Sequence, residues 1–256
     1  KVGEASREPY RDWPKHIRLR LQATQSEALH ALGQSGVSAH TDAFKAQPYQ
    51  ASHELWADMK LCHDDLHDAG LGLLCDGGLA DTSRRISLFG FGLLRLDIRQ
   101  ESSRHADALA AITQYLGLGD YNAWDEAQRQ QFLLQELASP RPLLPLSALS
   151  ADAEAAFSDE VREVLSTFRM LATQPAEALG AYVISMAHQP SDVLAVMVLQ
   201  RKADSRQPLR VVPLFETYDD LARAPSCLKA LLSLPIYCDC IQGQQEIMIG
   251  YSDSAK

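Results

Sequence analysis

The alternation of apolar and polar residues along the chain changes character near residue 90. Before that point the apolar positions recur at helical spacing. Ile17, Leu19, Leu21 and Leu29 lie among charges and predict a basic helix over 11–32. Residues 33–52 are rich in Gly, Ser, Gln and Ala and read as a flexible connection. Leu55, Trp56, Met59, Leu61 and Leu66 predict a second helix from His53 to about Gly70, and a shorter one covers 78–86.

After that point short apolar, β-prone runs alternate with long helical stretches. The runs are Gly92-Leu-Leu-Arg-Leu-Asp-Ile98, Ala181-Tyr-Val-Ile-Ser185, Leu209-Arg-Val-Val-Pro-Leu-Phe215 and Glu246-Ile-Met-Ile-Gly250. Helices are predicted near 101–117, 124–137 and 152–174, from the N-capping pair Ser191-Asp192, and over 219–232. Strand–helix–strand repetition with near-continuous apolar strands predicts a parallel sheet buried on both faces. Such strands suit half of a doubly wound sheet or half of a barrel. The dinucleotide fingerprint is missing, because Phe89-Gly-Phe-Gly precedes a strand instead of opening a helix, so the barrel is favoured. The reading is therefore a helix-rich α/β chain, with a helical region at 1–87 and a partial (β/α) barrel of about four parallel strands at 88–256.

Composition narrows the function. An apolar fraction of 46% and a charged fraction of 22% belong to a folded globular protein. The net charge of -9 argues against a nucleic-acid surface, yet leaves room for a local arginine site that binds a small anion. Five scattered cysteines without a Cys-x-x-Cys pair read as reduced thiols, which predicts a cytoplasmic protein. No apolar run is long enough to span a membrane. The chain starts at Lys1 and stops at Lys256 without a polar tail, so both ends read as cuts. Four barrel strands cut from their partners would leave two open edges prone to association.

In parallel barrels the chemistry sits at the C-terminal ends of the strands. Those ends carry Arg99, Gln100 and Glu101 after the first run, Ser185 and Met186 after the second, Glu216 after the third, and Ser252, Asp253 and Lys256 after the fourth. Carboxylate oxygens on neighbouring strands suit Mg²⁺ or Mn²⁺ better than zinc. Arg99 and Lys256 beside them suit a phosphate or carboxylate substrate. A single carboxylate after a strand is often only a helix cap; polar residues at four successive strand ends make a stronger pattern.

The same residues carry a family resemblance. Leu96-Asp-Ile-Arg-Gln-Glu-Ser102 with Arg104-His105, Ala181-Tyr-Val-Ile-Ser-Met186, Pro213-Leu-Phe-Glu-Thr217 and Met248-Ile-Gly-Tyr-Ser-Asp-Ser-Ala-Lys256 resemble phosphoenolpyruvate carboxylase. Weaker matches at Arg7-Glu-Pro-Tyr-Arg11, Tyr115-Leu-Gly-Leu-Gly-Asp-Tyr121 and Arg141-Pro-Leu-Leu144 extend it in the same order. The resemblance implies a helix-rich barrel enzyme, a homotetramer, that carboxylates phosphoenolpyruvate with bicarbonate to oxaloacetate and phosphate using Mg²⁺ or Mn²⁺. It implies Glu216 and Asp253 as metal ligands, Arg99 on the substrate phosphate and Lys256 in the substrate pocket. It also implies Leu214 and Met248 as part of an apolar carbon dioxide pocket. The implied chemistry forms carboxyphosphate and an enolate, which need fixed positive charge, an electrophile and exclusion of water. The family's catalytic Thr-Ala-His-Pro-Thr motif is absent, and Ser38-Ala-His40-Thr-Asp42 lacks its proline; the arginine-glycine loop is absent too. The chain alone is thus expected to hold part of an active site and to be inactive.

Other residues invite competing readings. His63 and His67 share one helical face as in zinc proteases, but the glutamate between them is replaced and no third ligand follows, so a solvated face is favoured. Cys238 and Cys240 are too close in sequence for an unstrained disulfide and read as structural thiols. His105 could line the mouth or merely cap a helix, Arg84-Arg85 reads as solvated, and His188 has only its position near a strand end to recommend it. Two other functions stay open at this level: a Schiff-base aldolase chemistry on Lys256, and a non-catalytic assembly fragment in which the basic stretch 11–20 matters most.

Overall fold

The computed structural model describes residues 8–33, 46–139, 155–203 and 208–250. The chain divides into two compact units, residues 1–94 and 95–256.

The first unit is helical. Its elements are α1 (Pro9–Ala31), α2 (Ser52–Asp68), the single turn α3 (Gly72–Cys75) and α4 (Gly78–Phe89). Pro9 opens α1, where its missing N–H and fixed φ cost nothing. A small core of Ile17, Tyr49 and Leu55 packs with Trp13, Met59 and Ile86. Arg20 is the polar centre of this unit. It pairs with Glu54 at 2.7 Å and Asp58 at 3.1 Å, and its guanidinium lies 3.8 Å from the Tyr49 ring centroid. The basic face predicted for 11–20 is therefore partly turned inward. Tyr49, inside the stretch read as a flexible connection, is buried and donates to Asp58 at 2.7 Å; residues 34–45 of that stretch lie outside the described residues.

The second unit carries the sheet. It runs β1 (Leu96–Glu101), α5 (Ser102–Tyr115), α6 (Glu126–Ala138), α7 (Asp159–Thr173), β2 (Leu179–Ser185), α8 (Pro190–Lys202), β3 (Arg210–Phe215), α9 (Tyr218–Leu232), α10 (Pro235–Ile241) and β4 (Met248–Ile249). The strands pair in parallel in the order β1-β2-β3-β4. Side chains alternate across β2. Tyr182 and Ile184 enter the main core with Leu109, Phe168, Leu194 and Leu199 of the helices, while Ala181 and Val183 join Val212, Leu214 and Met248 on the other face. That gives a parallel sheet with a helical layer on one side and a smaller apolar cluster on the other.

Three details depart from the sequence reading. The strand placed at 92–98 begins only at Leu96, because Gly90 and Leu93 adopt positive φ and turn the chain before it. Arg99, Gln100 and Glu101 are consequently the last residues of β1 and do not follow it. The expected burial on both faces holds for β2 but not for β1, an edge strand whose Leu96 is exposed. Finally, α8 opens before the expected Ser191-Asp192 pair, and Asp192 takes part in its cap from the third helical position. Gln189 is the N-cap and Pro190 the first residue, and Asp192, one turn in, accepts the Gln189 N–H at 3.0 Å.

Candidate active site at the strand ends

Short-range chemistry brings the C-terminal ends of β1, β2 and β3 together. Arg99 pairs in register with Val183 of β2, which pairs with Val212 of β3. Register at the start of β1 is set by Asp97, whose Oδ1 accepts the Ala181 N–H at 2.7 Å. The side chain of Asp97 occupies the space a Cβ at Gly180 would need, within 2.1 Å of that Oδ1. At the far end, Ser102 Oγ donates to the carbonyl of Met186 at 2.6 Å, tying the start of α5 to the turn after β2, where Met186 has φ 56°.

Glu216 is the first residue past β3. Its side chain is mostly buried, with 14% of it exposed, and its Oε1 is held by the guanidinium of Arg99. Gly250, at the end of β4, donates its N–H to the Phe215 carbonyl at 3.0 Å. A Cβ at position 250 would come within 3.1 Å of both Cα and Cγ of Glu216, so only glycine lets the two strand ends approach so closely. Leu214 and Met248 face each other in register in the small apolar cluster beneath. Asp253 and Lys256, with Ser252, lie outside the described residues.

The histidines separate clearly. His105 is fully buried, with Nε2 2.8 Å from the Tyr182 hydroxyl, which in turn donates to Gln100 at 3.0 Å. Burial, helped by the charge of Arg104, pushes its pKa down to about 3, so it is a neutral core histidine that braces the β1–β2 pair. His188 follows β2, and its Nδ1 lies 2.8 Å from Oδ1 of the fully buried Asp220. Sequence reasoning gave Asp220 no role. The Thr217-x-x-Asp220 capping spacing was the signal available, and both reciprocal hydrogen bonds are present, at 3.0 and 3.1 Å. The His63 and His67 rings stack at 6.5 Å on an exposed face of α2. Among the described residues no group of three or more His, Cys, Asp or Glu side chains could hold a metal ion.

Glu216 therefore stands, among the described residues, as a mostly buried carboxylate beside a guanidinium, outside any group of three or more metal-ligating side chains. That fits Mg²⁺ or Mn²⁺, which take one or two carboxylates and fill the remaining positions with water or substrate oxygen. The nitrogen and sulfur ligands that make up most of a zinc site are not gathered around Glu216 among the described residues. The five cysteines are free thiols.

Charged groups thus gather at the C-terminal ends of a parallel sheet, the position at which α/β folds place their ligand sites. The family model of phosphoenolpyruvate carboxylase matches residues 2–256. Phosphoenolpyruvate carboxylase of Stutzerimonas stutzeri is 49% identical over 251 residues, 98% of this chain and 27% of the relative. The Pseudomonas aeruginosa and Vibrio parahaemolyticus enzymes are each 48% identical across 100% of this chain and 28% of their own length. This chain belongs to the phosphoenolpyruvate carboxylase family. It spans a little over a quarter of the length of these relatives.

Proposed function

We propose that this chain contributes part of the active site of a phosphoenolpyruvate carboxylase, which joins phosphoenolpyruvate and bicarbonate to give oxaloacetate and phosphate. The observation that carries the reading is the meeting of Arg99 and Glu216 at the C-terminal mouth of parallel strands, in a chain that matches the family along its length.

The residues divide the work by chemistry. Glu216 offers a carboxylate oxygen to a divalent cation, with Asp253 as the second ligand. Mg²⁺ or Mn²⁺, when bound, supplies an electrophile for the enolate oxygen of the substrate. Arg99 presents a planar, permanently charged donor fork to the substrate phosphate, and Lys256 adds a second positive charge to the pocket. Leu214, buried in the cluster under Glu216, and Met248 beside it keep that side of the mouth apolar. An apolar wall protects an enolate from protonation and suits carbon dioxide.

This reading takes the four parallel strands, with helices on one face, as part of an eight-stranded barrel. The complete enzyme is read as a cytoplasmic homotetramer on the family resemblance alone. No single helix among the described residues is long and apolar enough to cross a membrane. The test is oxaloacetate formation by the full-length protein, followed by reduction to malate. Turnover that requires phosphoenolpyruvate, bicarbonate and Mg²⁺ or Mn²⁺ is expected. A protein that instead traps a carbonyl substrate on Lys256 under borohydride, without metal, overturns the reading in favour of a Schiff-base enzyme.

A further inference from the structure

Asp220 is the one fully buried carboxylate at the strand-end mouth among the described residues, and its two oxygens face different partners. Oδ2 accepts the Thr217 N–H at 3.0 Å and completes the cap of α9. Oδ1 lies 2.8 Å from Nδ1 of His188 and 3.5 Å from Nη2 of Arg223. A helix cap needs only the Thr217 exchange. The close contact to His188 goes beyond it, and it joins the turn after β2 to the turn after β3.

The turn that carries His188 is itself anchored twice. The His188 N–H donates to Asp192 Oδ2 at 2.8 Å, and the Met186 carbonyl accepts from Ser102 at 2.6 Å. His188 is thus delivered to Asp220 from a fixed base, with about a third of its side chain exposed to solvent. A buried carboxylate that lost such a partner would keep an incompletely compensated charge, and the backbone it holds would relax.

We propose that Asp220 and His188 form a positioning pair that fixes the backbone of Glu216 for cation binding. The proposal rests on the reading of Glu216 as a metal ligand. Neither residue is a cation ligand in this reading; both act through the Thr217 N–H that Asp220 accepts, and so through the Glu216–Thr217 turn. Outer partners of this kind orient ligands, and their loss weakens metal binding by roughly 10–100-fold.

The experiment is a Mn²⁺ titration of the full-length protein without substrate, with free Mn²⁺ read by electron paramagnetic resonance. It compares wild type with His188→Ala, His188→Gln, Asp220→Asn and Glu216→Gln. His188→Ala and Asp220→Asn are expected to bind Mn²⁺ about 10–100-fold more weakly, with His188→Gln, which keeps a donor, recovering most of the loss. A purely structural role would not be rescued by the donor alone at unchanged melting temperature. Should Asp220→Asn fail to fold, the partly exposed His188 series carries the test by itself. Loss of Mn²⁺ binding in Glu216→Gln together with wild-type binding in His188→Ala overturns the pair. Unchanged binding in Glu216→Gln overturns the ligand reading, and the pair with it.

Discussion

Arg99 and Glu216 meet side chain to side chain although their strands are not neighbours: β2 lies between β1 and β3, and Arg99 reaches across it. The guanidinium is more than half exposed while the carboxylate is mostly buried. On the proposed function, a cation arriving at Glu216 would compete with a partner that is tethered on one side only, and displacing it would free Arg99 for an anionic substrate.

Removing that competitor should favour the metal. Arg99→Gln is expected to bind Mn²⁺ about two- to fivefold more tightly, the scale of an exposed ion pair. The same variant should show a raised KM for phosphoenolpyruvate. Calorimetric Mn²⁺ titration checks the first effect; weaker Mn²⁺ binding would mean that Arg99 orders Glu216 and does not compete for it.

The close approach of Gly250 to Glu216 makes a second prediction. In Gly250→Ala the new methyl must displace Glu216, whose Cα and Cγ stand 3.1 Å from the Cβ position. Mn²⁺ binding should weaken roughly tenfold, about 1.4 kcal/mol. A wild-type affinity in this variant would show that the Glu216 side chain has room to adjust.

Leu214 is 1% exposed and sits at the centre of the small cluster on the sheet face opposite the helices. Leu214→Ala is expected to cost about 2–5 kcal/mol in urea unfolding, as transfer and cavity terms add. Met248, only partly buried there, should cost less on truncation. Equal costs would place Met248 as deeply as Leu214.

His105 sets an acid limit on stability. Its folded pKa, pushed down to about 3 by burial and then by the charge of Arg104, lies below the unfolded value of 6.5. The unfolded chain therefore takes up the proton first. The contribution is fully present above pH 6.5 and is lost as pH falls from there toward 3, by roughly 2 kcal/mol between pH 6.5 and 5. His105→Gln, which keeps a donor for Tyr182 and cannot be protonated in this range, should flatten that slope. An unchanged slope would assign the acid sensitivity elsewhere.

How far the sequence carried this picture depends on the range of the interactions. Helices α5 to α9 were legible because their apolar periodicity and caps are local, and the β-branched runs of β2 and β3 mark buried strands. Strand β1 was misplaced because Leu93 and Leu94 look like strand residues but are exposed on a turn. Helix α10 was missed: it is a short element opened by Pro235, with a mixed Ile-Tyr-Cys-Asp-Cys-Ile pattern. Arg99 and Glu216 could be picked out as strand-end residues, yet their direct pairing depends on a register that no local pattern encodes. The pairing of His188 with Asp220 was hidden for the same reason, since it joins two turns separated by a whole helix and strand.

Glu216 is, in the proposed function, the carboxylate that holds the divalent cation. The most direct measurement is the Mn²⁺ dependence of oxaloacetate formation by the full-length protein carrying Glu216→Gln. Half-saturation by Mn²⁺ is expected to rise by more than about tenfold, with a fall in turnover that excess metal restores only in part. Wild-type turnover at an unchanged Mn²⁺ requirement would contradict it.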